Sequence, residues 1–158
     1  MGTLAEDIET ASDWLVKAFR EDHIHLDFSI KSLIEIDKFF NLHAVNGQAV
    51  KGGRLSKNLG SVLFAIASYV GDSLIKAVPG SKWITDDNDP EGEINISVLF
   101  PNGSIVWPMQ RIMKRFKIGS EESAYVYVYQ LTKEFTKEEF DNRYWELKEK
   151  PEKWWKFW

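Results

Sequence analysis

Apolar residues recur at the start of the chain as Leu4, Ile8, Ala11, Leu15 and Ala18/Phe19, the spacing that keeps one face of a helix apolar. Thr3 stands just ahead, where its hydroxyl can accept an orphan N–H of the first turn. The period then changes. Ile24, Leu26 and Phe28 alternate with His23, His25 and Asp27, which predicts a short strand. Ser29 is placed to cap a second helix running through Leu33, Ile34, Asp37 and Phe40, and the glycine-rich stretch from Ala44 to Gly53 reads as a loop.

The strongest pattern is a third helix from about Leu55 to Ala77, with Leu59, Val62, Leu63, Ile66, Val70 and Leu74 on a wide apolar face. Gly60, Ala67 and Gly71 share one side of it. A helical glycine costs about 1 kcal/mol relative to alanine, so two on one stripe predict close approach of another backbone. Pro79-Gly80 ends the helix. Lys82–Thr85, Ile94–Phe100 and Ser104–Trp107 have strand composition, and Pro101-Asn-Gly103 is a tight-turn signal between the second and third. Together they predict a three-stranded antiparallel meander, with Trp83 and Trp107 in the core beneath the connecting loop.

Pro108 suits the first turn of a helix, where its missing N–H costs nothing. That helix would turn Met109, Ile112, Met113 and Phe116 inward and Arg111, Lys114, Arg115 and Lys117 outward. Ala124–Leu131 has strand composition, yet Ser120-Glu-Glu-Ser looks like a helix start, and helix is the reading adopted. Thr136 and Glu139 form a capping-box pattern for a final helix to about Lys150, ended by Pro151. No repeat or linker divides the chain, so residues 1–158 read as a single α+β domain: a small antiparallel meander packed against several helices.

The segment Arg54–Gly119 resembles a bacterial domain family of unknown function. The resemblance is carried by the Leu59-Gly60…Gly71-Asp72 helix, the strand opened by Trp83, and the Trp107-Pro108 step into Lys114-Arg115. Upstream, Phe28-Ser-Ile-Lys-Ser-Leu-Ile-Glu-Ile-Asp37 is similar to the Ser…Leu…Asp pattern of the same family. The resemblance implies a fold core and brings no catalytic residues with it.

Composition narrows the function classes. The 158-residue chain has no cysteine, which excludes disulfides, zinc thiolates and thiol catalysis together. A net charge of −4 argues against a general nucleic-acid binder, which needs clustered Lys and Arg to displace counterions. Glu6, Asp7, Glu9 and Asp13 are opposite to the basic start of a signal peptide, and no apolar run approaches the roughly 20 residues of a bilayer span. A cytoplasmic location is the expectation. Seven Trp and ten Phe supply large side chains for the core or for an exposed aromatic surface.

Several segments carry candidate chemistry. On a strand, His23, His25 and Asp27 would share a face and offer first-row metal ligands, but only His43 remains to complete such a site. Asp87-x-Asp89-x-Glu91-Gly92 imitates the opening of a calcium loop, yet Val98 stands where a bidentate glutamate belongs. Gly47-x4-Gly52-Gly-Arg-Leu-Ser56 lacks the lysine of a phosphate loop. The acid pairs Glu35/Asp37 and Asp141/Glu146 read as solvated helix faces. Asp72, beside Gly71, is either a buried acid or an acceptor for a neighbouring loop or for Arg54 or Arg115.

No catalytic constellation emerges. The leading expectation is a non-catalytic interaction protein without cofactor or metal, in concrete form a bacterial immunity protein neutralising a basic toxin. Its expected contact residues are Asp86, Asp87, Asp89, Glu91 and Glu93 of the acidic loop, with Trp154, Trp155 and Trp158 of the Trp-Lys tail at 151–158. The alternatives are a metal-dependent hydrolase using His23, His25 and Asp27, and a peripheral membrane protein using that tail.

Overall fold

A computed structural model describes residues 2–147. Helix α1 (Leu4–Glu21) starts as expected: Thr3 Oγ1 accepts the Glu6 N–H at 3.2 Å, and Ile8, Leu15 and Phe19 are buried. Ser29 caps a short 3₁₀ turn, Ile30–Ser32, that leads into α2 (Leu33–His43). Helix α3 (Leu59–Ala77) is buried on nearly all sides and packs mainly against α1 and against α4 (Pro108–Ile118). It begins four residues later than its apolar pattern predicts, because Asn58 in the left-handed region (φ 56°) breaks the helical run. Contrary to the sequence reading, α3 is long and apolar enough to cross a bilayer; 67% of that window is buried inside the protein.

Strands β3 (Lys82–Ile84), β4 (Ser97–Leu99) and β5 (Ile105–Val106) form the expected antiparallel meander in the order β3-β4-β5. Trp83, Val98 and Val106 lie in one row across it and face the helices, with Val98 and Val106 buried. Trp83 behaves as predicted only in part. Its indole is half-buried and rests on Gly71, where any Cβ would overlap the ring. A side chain, rather than a backbone, therefore occupies the glycine notch of α3, and Gly60 faces open space. Trp107 is not a core residue. Val106 takes the inward position, alternation turns Trp107 outward, and it is 44% exposed.

The glycine-rich 44–53 segment contains a small ladder, β1 (Ala44–Val45) with β2 (Gln48–Ala49), missed by the loop reading. Asn46 and Gly47 both have positive φ (54° and 75°), the conformation an Asn-Gly hairpin turn requires. The ambiguous segment is helical: α5 (Ala124–Thr136) is capped by Ser123, which accepts the Val126 N–H at 3.1 Å. Thr136 ends α5 instead of starting the next helix. Lys137 follows in the left-handed region (φ 62°), and helix resumes only at 144–147. The Trp-Lys tail lies outside the described residues.

Helices α2, α4 and α5 meet at Asp37, which the acid-pair reading placed in solvent and which is 1% exposed. Its Oδ1 accepts Arg115 Nε–H at 2.8 Å and the Ala124 N–H at 3.0 Å. Its Oδ2 accepts the Ser123 hydroxyl at 2.7 Å and the Tyr125 N–H at 2.9 Å. Arg115, predicted to point outward, is 2% exposed. Its Nη2 donates to the Asp37 carbonyl at 3.1 Å and to Asn41 Oδ1 at 3.0 Å, and its guanidinium lies over the Phe40 ring. Arg111 is likewise engaged, pairing with Glu122 at 2.9 Å and stacking on Tyr127. The helical period places these cations on the polar side of α4, but α2 packs against Arg115 and supplies its acceptors, and the 3₁₀ turn Ser120–Glu122 supplies that of Arg111.

Removing one member of a desolvated ion pair leaves the other charge buried without compensation. Arg115→Ala should therefore lower unfolding free energy by about 3–5 kcal/mol in urea titration. A loss within the range of an exposed pair, about 0–1 kcal/mol, would contradict this burial.

Candidate functional site

The connection between β3 and β4 carries the five predicted contact acids, and much of it is anchored rather than freely solvated. Asp87 Oδ1 accepts the Leu4 N–H at 2.7 Å, joining the loop to the first turn of α1. A carboxylate there also meets the positive end of the helix dipole. Asp86 Oδ1 accepts the Asn88 N–H at 3.0 Å, and Asp89 accepts the Glu91 N–H and the Asn95 amide, both at 2.9 Å. Gly92 is buried against Leu4. The Asn95 hydrogen bond, followed by that of Glu91, holds Asp89 below the usual carboxylate range. The calcium-like spacing thus serves backbone turns, while Glu91 and Glu93 stay exposed.

Beside the anchored loop lies an open hollow of about 280 Å³ lined by Ala5, Ile8, Glu9, Asp13, Asp72 and Trp83. Ala5, Ile8, Glu9 and Asp13 fall on one face of α1, Asp72 comes from α3, and Trp83 from β3. Trp83 Nε1–H donates to Asp72 Oδ1 at 2.9 Å, so Asp72 has the acceptor role expected of it, toward neither arginine proposed as its partner. Burial pushes its carboxyl above the usual range; the Trp83 hydrogen bond opposes that rise, and Asp13 and Glu9 add to it. The fold thereby gathers carboxylates from three separated segments at one side of α1. Such a surface suits an ammonium or guanidinium group, with an indole wall for its apolar stem.

Helical spacing in the sequence already aligned Glu9 with Asp13. Nothing in it announced that Asp72 and Trp83 would stand across from them.

The His23–Asp27 segment pairs with no strand among the described residues and is irregular. Its alternation survives as burial, with Leu26 inward and His23, His25 and Asp27 exposed. Side-chain bonds replace a ladder: Tyr69 Oη accepts the Phe28 N–H at 2.8 Å and Asp27 Oδ1 accepts the Ser29 N–H at 3.0 Å. Asp27 is held below the usual carboxylate range chiefly by Ser29. His23 takes a left-handed backbone (φ 62°), and among the described residues no three His or acidic side chains are placed to hold a metal ion. His43 lies elsewhere, its ring tilted against Phe39, with Nδ1 accepting the Arg54 N–H at 3.2 Å. Burial, then Arg54, lowers its pKa below the usual imidazole value.

No protein-family model matches the chain, and no curated protein or solved structure matches it.

The environment of Asp72 predicts a pH effect. Its folded-state pKa exceeds its unfolded value, so its stabilising contribution is complete below about 3.9 and is lost as pH rises through the folded value. Carboxyl-carbon NMR should place the Asp72 titration above that reference and those of Asp27 and Asp89 below it. An Asp72 midpoint at or under the reference would show that burial does not disfavour its charged form.

Proposed function

We propose that the protein is a non-catalytic binding protein whose acidic side receives a basic protein partner, as a bacterial immunity protein receives its toxin. One observation carries this reading: Asp87 fastens the acidic loop to α1, next to the hollow lined by Glu9, Asp13 and Asp72. Like charges held together oppose folding, and a basic partner relieves that repulsion on binding. The charge also accelerates encounter with such a partner. The predicted contact acids Asp86, Asp87, Asp89, Glu91 and Glu93 remain in this proposal, extended by Glu9, Asp13 and Asp72. The exposed His23, His25 and Asp27 give the hydrolase alternative no support, since no trio suited to a metal forms among the described residues.

The partner sought is the product of the gene directly upstream, expected to be a toxin or secreted effector. Association of the two purified proteins should slow about tenfold at low salt in the triple variant Asp86→Asn/Asp87→Asn/Asp89→Asn, and added salt should slow the parent in the same way. The variant should stay folded with a nearly unchanged melting temperature, because each Asn Oδ1 can still accept the Leu4, Asn88 or Glu91 N–H and only the exposed Asn95–Asp89 bond is lost, against which the mutual repulsion of the loop acids is relieved. Association at the parent rate in low salt would refute the acidic-side reading. Asp87→Ala removes the acceptor at α1 and should lower stability by about 0.5–2 kcal/mol, the usual cost of a lost cap. A melting temperature equal to that of the parent would show that the loop is not anchored there.

A further inference from the structure

The three-stranded sheet has a second face. Trp83, Val98 and Val106 point toward the helices, so alternation sends Ile84, Leu99 and Ile105 the other way, followed by Trp107. Ile84, Ile105 and Trp107 are 42%, 46% and 44% exposed, and Leu99 is partly exposed. Ser97, opposite Ile84, is buried despite lying in an outer row, which leaves the larger side chains to form the surface. Lys82, exposed in the same outer row as Leu99 and Ile105, is the one charged residue in these strands and marks the end of the face away from Ile84. Large apolar side chains held in adjacent rows on a folded strand pair mark a contact surface rather than scattered exposure.

What lies next to this face selects its occupant. The acidic connection leaves β3 directly after Ile84 and Thr85, so the exposed Asp86 and Asp87 follow within three residues of the exposed Ile84 and put negative charge at that end of the sheet. A second copy seated symmetrically would bring two such rims together, and an anionic membrane would meet the same repulsion. A basic protein segment with alternating apolar side chains satisfies both halves: apolar groups on Ile84, Leu99, Ile105 and Trp107, cations on the loop. We infer that the outer face of the β3–β4–β5 sheet is the apolar half of the partner interface, with the acidic loop as its charged rim. This inference rests on the basic-partner reading and adds to it the place where the partner's apolar surface is buried.

Two twelve-residue peptides of equal charge test it, one alternating Lys and Leu and the other alternating Lys and Ser. They are titrated into the ¹⁵N-labelled full chain at low salt. The Lys-Leu peptide should bind about tenfold more tightly and shift amides of all three strands as well as the loop. The double variant Ile84→Thr/Ile105→Thr, which keeps β-branched residues on the strands, should lose that tenfold advantage without a change in melting temperature. Equal affinity for the two peptides, with shifts confined to the loop, would overturn the sheet-face inference and leave the acidic-side reading standing. Absence of binding by either peptide would count against both. A parent dimer that the double variant abolishes would assign the face to a second copy. A fall of several degrees in the melting temperature of the free variant would show that the chain itself covers the face. Either result would overturn the inference.

Discussion

One buried carboxylate organises the helical part of this fold. Asp37 accepts four hydrogen bonds, from the Arg115 guanidinium, the Ser123 hydroxyl, and the first two backbone N–H groups of α5. A carboxylate at 1% exposure is costly unless its lone pairs are filled, and here both oxygens are used twice. The arrangement is self-enforcing. α2 presents the acceptor, α4 supplies the neutralising cation, and α5 must begin where its N–H groups reach the carboxylate. Misplacing any of the three helices would strand a charge in the core.

The carboxylates around α1 follow a different logic. Asp72 receives the Trp83 indole N–H, has the Ser12 side chain beside it and no cationic partner among the described residues, and faces Glu9 and Asp13 across an open hollow. Its raised pKa expresses the net disadvantage of ionising there. The acidic loop is bound to the same region through Leu4, so the fold concentrates negative charge where a more even distribution would be less costly. The proposed basic partner gives that concentration a use. The outward Ile84, Ile105 and Trp107 give the same partner an apolar surface to bury.

Features set by local chemistry were legible in the sequence, including the Thr3 cap, the Pro108 helix start, the meander and the central apolar helix. The errors came where tertiary contacts decide. Arg115 and Asp37 sit at ordinary helix-surface spacings, and only their meeting across α2 and α4 makes them core residues. Trp107 reads as core by size, but strand parity gives the inward place to Val106. The capping-box pattern at Thr136 lost to a left-handed Lys137, and the alternation of Ile24–Phe28 produced burial without a partner strand among the described residues. Of the candidate site, the loop acids and Asp72 could be singled out from sequence. Their proximity to Glu9, Asp13 and Trp83 depends on how α1 crosses α3.

Asp37 and Asp72 look alike in sequence, yet one holds the fold together and the other is retained at a cost to it. Applying the same nearly isosteric change to both tests that separation directly, by urea unfolding at neutral pH. In Asp37→Asn an amide nitrogen must face N–H or O–H donors, and the Arg115 charge loses its partner, so stability should fall by about 3–5 kcal/mol. In Asp72→Asn the acceptor for Trp83 remains and a like charge disappears, so stability should be unchanged or higher. Comparable losses in the two variants would contradict the account, because they would make Asp72 a stabilising member of the core rather than part of a binding surface.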